Sequence, residues 1–175
     1  MSIFTPSAAL RRVTDITAAL LHSLGAEALF LDVDNTLALD GSQIPLPGAV
    51  AWSEKIREDG FRVIILSNNF SRRVAPFAEQ FNLPFRSAAM KPLPAAYWAA
   101  AHRMGVRRER IVVVGDQVFT DILGANLAGM KSILLQPVRE EPSGSFRIRR
   151  SLEKSIRRKM AQRTGDETNR AEVEK

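Results

Sequence analysis

Four short polar clusters punctuate this chain, each just beyond a candidate strand. Asp32 and Asp34 stand two residues apart behind Ala28–Leu31, and Ser67-Asn68-Asn69 follows Arg62–Leu66. Lys91 sits in Met90-Lys91-Pro92, and Asp116 and Asp121 stand five apart behind Ile111–Gly115. Carboxylates gathered in one place repel: two charges ~4 Å apart cost about 4 kcal/mol even at an effective dielectric of 20. A divalent cation would offset that cost. An all-oxygen donor set from Asp32, Asp34, Asp116 and Asp121 favours hard Mg²⁺ over zinc, with room left for waters and a substrate phosphate. Ser67 can donate a hydrogen bond to a phosphoryl oxygen, and Lys91 can supply positive charge to substrate and transition state. Together these groups describe a phosphoryl-transfer site. Each residue alone has an ordinary structural reading: strand-end turn for Asp32 and Asp34, helix N-cap for Ser67–Asn69, surface charge for Lys91, first helical turn for Asp121. The ordered set is what carries the chemistry.

Composition narrows the alternatives. The 175 residues include no cysteine and two histidines, His22 and His102, in helical segments. Thiolate catalysis, disulfides, iron–sulfur clusters and Cys-based zinc sites are excluded, and a histidine zinc centre is not expected. Chemistry falls to carboxylates, hydroxyls, lysine or arginine. The net charge is +6 and the pI about 10.3, a balance that suggests nucleic-acid binding at first sight. Eight basic residues against Glu153 give Arg147–Arg163 a charge of +7, leaving −1 for the rest of the chain. Basicity belongs to one segment, so nucleic acid is not the expected partner of the body. No apolar run approaches the ~18 residues of a membrane span, and the N-terminus has no secretory pattern, so a cytoplasmic location is expected.

Positioning the four clusters requires strands. Runs at Ala28–Val33, Arg62–Ser67, Pro84–Ser87, Arg110–Gly115 and Lys131–Gln136 read as strands, several of them near-continuously apolar without clean alternation, as expected for strands covered on both faces. Pro47–Glu58, Ser71–Phe81, Pro94–Met104 and Thr120–Ala128 read as helices, and a further amphipathic helix is expected within about Ala8–Leu24. The alternation predicts an α/β fold: a three-layer α/β/α sandwich on a mainly parallel sheet. Open sheets of this kind place ligands beyond the carboxyl ends of their strands, which is where the four clusters fall.

The text around these clusters resembles the haloacid dehalogenase (HAD) superfamily of aspartate-nucleophile phosphatases. DVDNT at 32–36 matches its DxDx[TV] motif; Ser67 behind the second major strand, Lys91, and GDQVFTD at 115–121 follow in order. The phrases LSNNFSRRVAPF, KPL and GDQVFTDILGANLAGMKSILLQPV are similar to the YqeG-type branch of subclass IIIA, over about Arg12–Val138. Leu127 departs from it, where arginine is expected. The resemblance implies a Rossmannoid fold and residue roles. Asp32 is the nucleophile and forms an aspartyl-phosphate; Asp34 is general acid and base, with Thr36 holding the loop. Ser67, Asn68 and Lys91 cradle phosphate. Magnesium is held by Asp32, the Asp34 carbonyl, Asp116 and Asp121. It also implies a candidate substrate, since related subclass IIIA enzymes act on phosphatidylglycerophosphate.

The intervals of 33 residues from Asp34 to Ser67 and 24 from Ser67 to Lys91 leave no room for a cap domain. The expected organisation is a phosphatase domain over 1–138, a basic amphipathic helix within 139–163 with Ile148, Leu152, Ile156 and Met160 as its stripe, and a disordered tail over 164–175. That helix would contact an anionic membrane peripherally, or else pack on the domain. Alternatives stay open: a phosphatase of a soluble phosphosugar or nucleotide, its site covered in a homo-oligomer; a phospho-accepting receiver; or an RNA- or ribosome-binding protein using the basic segment.

Overall fold

The computed structural model describes residues 2–138. The expected basic helix and tail within 139–175 lie outside the described residues. Six strands form one sheet in which every pairing is parallel: β1 (Ala8–Leu10), β2 (Ala28–Leu31), β3 (Arg62–Leu66), β4 (Phe85–Arg86), β5 (Ile111–Gly115) and β6 (Lys131–Leu135), in the order β1-β6-β5-β2-β3-β4. The register sets Leu29 beside Val63 on one side and Val112 on the other. Alternate residues of each strand then enter opposite layers. Leu29, Leu31, Val63, Ile65, Val112 and Val114 pack with α2 (Ala49–Glu58) and α3 (Ser71–Gln80). Phe30, Ile64, Leu66 and Val113 pack with α4 (Pro94–Met104) and α5 (Leu123–Ala128). Burial on both faces is why these strands read as unbroken apolar runs.

The five expected strands are present, each shorter by one or two residues. One helix is placed differently. In place of a helix across Ala8–Leu24, the chain forms edge strand β1, a 3-10 turn at Val13–Asp15, and the short helix α1 (Ala18–Ser23). Two hydrogen bonds, one local and one from far along the chain, decide this. Thr17 caps α1 by accepting the Leu20 N–H (3.2 Å), which fixes the helix start. The Ile16 carbonyl is taken by the Trp52 indole N–H (2.8 Å). Val13, Ile16 and Leu21 are still buried, so the apolar spacing is satisfied without a continuous helix. Helix α2 begins two residues later than expected, behind Gly48 at φ +79. The segment expected as a helix from Thr120 opens as a π-turn, Val118–Ile122, before α5. Among the described residues, no helix is long and apolar enough to cross a membrane. Only α2 separates β2 from β3, and only α3 separates β3 from β4, so no cap domain is inserted there.

Candidate active site

Strands β5, β2, β3 and β4 are neighbours in the sheet, so their carboxyl ends deliver the four polar clusters to one place. Asp32 follows β2, Ser67 follows β3, Lys91 follows β4 and Asp116 follows β5. All four are buried, as are Thr36 and Asp121. The Lys91 Nζ bridges two carboxylates, donating to Asp32 Oδ1 at 2.7 Å and to Asp121 Oδ1 at 2.6 Å. Asp32, Asp116 and Asp121 each present an oxygen within 4.8 Å of the others'.

Three carboxylates face one ammonium, and burial is the largest influence on how the carboxyls hold their protons. Burial pushes the Asp32 carboxyl up to about 7; Lys91 opposes the rise and Asp121 adds to it. Burial also raises Asp116 well above the usual carboxylate range, with Asp121 and Asp32 acting in the same direction. For Lys91, burial alone favours the neutral amine, yet Asp121 and Asp32 together outweigh it and hold the ammonium more tightly than in water. Excess carboxylate, an all-oxygen donor set and close mutual spacing are what a hard divalent cation requires, and these residues fit one.

The remaining predicted residues are placed as follows. The Ser67 Oγ accepts the Asn69 N–H (3.1 Å), which leaves its own proton free to donate. Asn68 clamps the Lys91 backbone from both sides: its Oδ1 accepts the Lys91 N–H (2.7 Å) and its Nδ2 donates to the Lys91 carbonyl (3.2 Å). Thr36 closes a turn on the Val33 carbonyl through its N–H (3.2 Å), while its buried Oγ1 has no hydrogen-bond partner. The Asp34 carboxylate is apart from the Lys91 cluster. It accepts from Asn69 Nδ2 (2.6 Å), from the Gly41 N–H (3.2 Å) and from Arg73.

Three participants were not singled out by sequence reasoning. Asn69 enters the sequence reading only as part of the Ser67–Asn69 cluster and Arg73 only within LSNNFSRRVAPF, neither with a role of its own. A signal existed: Arg72 and Arg73 fall in the first turn of α3 with no acidic residue there, against the helix dipole. The third is Gly115. A Cβ there would lie 2.2 Å from Asp121 Oδ2, so only glycine lets that carboxylate lie across the backbone. His22 packs at a tilt against the Phe61 ring, outside the site.

Residues 9–129 match the family described as haloacid dehalogenase-like hydrolase. The chain belongs to that family. This HAD-like hydrolase is 35% identical over 153 residues to the "Probable phosphatase YqeG" of Bacillus subtilis, covering 87% of this chain and 89% of the relative. A second relative, the glyceraldehyde 3-phosphate phosphatase of Methanopyrus kandleri, is 28% identical over 101 residues, 53% of this chain and 43% of its own length. Among solved structures, NagD from E. coli K-12 matches the HAD-like fold with a TM-score of 0.56 at 16% identity, over 70% of this chain and 94% of NagD. With family and phosphatase relatives in agreement, this HAD-like hydrolase is a phosphoric monoester hydrolase.

Proposed function

We propose that the enzyme is Mg²⁺-dependent, works through an aspartyl-phosphate on Asp32, and takes phosphatidylglycerophosphate as its substrate. The observation that carries the chemistry is the buried Lys91 bridge between Asp32 and Asp121, with Asp116 beside it. Asp32, Asp116 and Asp121, with the backbone carbonyl of Asp34, would hold the magnesium. Once bound, the ion would supply charge that offsets the carboxylates and draws the phosphoryl oxygens toward Asp32. Lys91 and the free Ser67 proton bind the phosphoryl oxygens and keep their developing charge out of water.

Asp32 attacks phosphorus, and the leaving oxygen departs with a proton from Asp34. Water then attacks the acyl-phosphate and returns its proton to Asp34, which releases inorganic phosphate and regenerates the Asp32 carboxylate. Asn69 and Arg73 fix the position of the Asp34 carboxylate from which this proton passes. Asn68 fixes Lys91 through its backbone.

Support for a lipid substrate comes from the absence of an inserted cap and from the +7 stretch Arg147–Arg163, which suits an anionic bilayer surface. Phosphate release from phosphatidylglycerophosphate vesicles should require Mg²⁺ and vanish in Asp32→Asn. Release no faster than from an aryl phosphate rejects the lipid substrate and leaves the chemistry standing. A soluble phosphosugar is the second reading, favoured by the name of the Methanopyrus kandleri relative; a panel of such substrates in the same assay decides between them.

A further inference from the structure

Three large apolar side chains stand in water on the two loops that carry the phosphate-side residues. Phe70 is 71% exposed, Met90 68% and Leu93 56%. The loops are fastened to each other. The Ala88 N–H donates to the Asn69 carbonyl (2.8 Å), the Ala89 N–H to the Ser67 carbonyl (3.0 Å), and Asn68 grips the Lys91 backbone. Phe70 and Met90 therefore belong to one continuous surface beside Ser67 and Lys91. Met90 is also held at φ +51, and Ala88 at φ +47, a conformation residues with a Cβ rarely adopt.

The two loops themselves carry basic residues and no acid. Segments 67–73 and 84–93 contain no acidic residue, while Arg72 and Arg86 are exposed. Arg72 lies in the first turn of α3, where the helix dipole disfavours it. Taking roughly 200 Å² for each whole side chain, the exposed parts of Phe70, Met90 and Leu93 sum to roughly 400 Å², about half of the ~800 Å² that one partner contributes to a standard protein interface. That is little for a second copy of the chain. Apolar tips with two exposed guanidinium groups on the same segments instead match the headgroup region of an anionic bilayer.

We infer that this face seats on an anionic phospholipid bilayer, with Phe70, Met90 and Leu93 entering the interface and Arg72 and Arg86 pairing with lipid phosphates. The inference rests on the phosphatase reading of the site and adds how a bilayer substrate reaches it. Because the chain has no cysteine, single reporters can be placed cleanly in the full-length protein. Phe70→Cys and Leu93→Cys carry an environment-sensitive fluorophore; Asp59→Cys, between α2 and β3 at the amino end of the strands, is the reference position.

Vesicles of phosphatidylglycerol and phosphatidylcholine should blue-shift the labels at 70 and 93 and leave the label at 59 unchanged. The Phe70→Ser/Leu93→Ser variant should weaken vesicle binding about tenfold or more, with p-nitrophenyl phosphate turnover within about twofold of the unaltered chain. No shift at 70 and 93, or equal shifts at all three positions, overturns the docking surface. A shift that appears without vesicles and grows with protein concentration assigns the surface to a second copy and overturns it as well. Failure of the phosphatase reading shows separately, as no aryl phosphate turnover by the unaltered chain, and it removes the substrate half of the inference.

Discussion

An alanine at position 115 would drive its methyl group into the Asp121 carboxylate. The new Cβ would stand 2.2 Å from Oδ2, 2.3 Å from Cγ and 2.7 Å from Cβ of that residue, where ordinary contact begins at 3.4 Å. Asp121 would have to retreat by more than 1 Å. It is anchored on both sides, by Lys91 at 2.6 Å and by the Gln117 N–H at 3.2 Å, so any retreat breaks at least one of these bonds. Gly115 does not have a left-handed backbone, so alanine meets no conformational penalty and the clash is the whole effect. A displacement of about 1 Å in a positioned catalytic group costs about 10²-fold in rate, which is ~2.7 kcal/mol of barrier. Overpacking adds a stability loss of about 1–3 kcal/mol. Steady-state hydrolysis of p-nitrophenyl phosphate across a Mg²⁺ titration, with urea unfolding alongside, measures both. Gly115→Ala should lose about 10²-fold in kcat/KM and need more Mg²⁺ for half-activation. Unchanged kcat/KM and Mg²⁺ dependence would refute the reasoning that Asp121 must lie over the backbone of residue 115.

Burial raises the Asp32 carboxyl from 3.8 to about 7, so between those values the folded chain keeps a proton that the unfolded chain has lost. Stability of chelator-treated protein should therefore fall as pH rises through that window, by at most ~1.4 kcal/mol per pH unit from this group. Asp32→Asn should flatten the slope, and urea midpoints from pH 4 to 8 check it. Asn68→Ala strands the Lys91 N–H and carbonyl, and should cost about 1–3 kcal/mol in urea unfolding. It should also lower kcat with little effect on the Mg²⁺ requirement, because the ammonium moves and the carboxylates stay. Magnesium at 100 times its Kd should stabilise the unaltered protein by about 2.7 kcal/mol. Thermal unfolding should show that gain shrink in Asp116→Asn.

The sheet was legible because its strands are covered on both faces: Leu29 and Leu31 serve one layer while Phe30 serves the other, and the text stays apolar throughout. The N-terminal segment was not. Val13, Ile16 and Leu21 recur at near-helical spacing, and the decision against a continuous helix is made by a partner far along the chain, Trp52, whose indole takes the Ile16 carbonyl. At the site, residue types and order point to the Asp32, Ser67, Lys91 and Asp116 clusters, since each follows a strand. What they do not reveal is how the groups are held. The grip of Asn68 on the Lys91 backbone crosses 23 positions, and that of Arg73 on Asp34 crosses 39. Contacts of that span depend on the registers of β2, β3 and β4, which no local pattern encodes.

Residues 88–91 show how strain, chemistry and surface arise from one turn. Lys91 has to reach inward to two buried carboxylates, and an ammonium so placed is stable only because the carboxylates outnumber it. Reaching them from the end of a two-residue strand requires an abrupt reversal, and the chain makes it with Ala88 and Met90 in left-handed conformations. Each costs on the order of 1–3 kcal/mol and persists because neighbouring bonds over-determine it. Here those bonds are the Ala88 and Ala89 N–H groups on the Ser67–Asn69 loop and the two-sided hold of Asn68. Turning Lys91 in also turns Met90 out, so the exposed apolar side chain beside the site follows from the geometry that buries the ammonium. A glycine at 90 would make the reversal at lower strain. Methionine there keeps the strain and adds an apolar contact at the mouth of the site, which is the combination that a bilayer-facing surface would use.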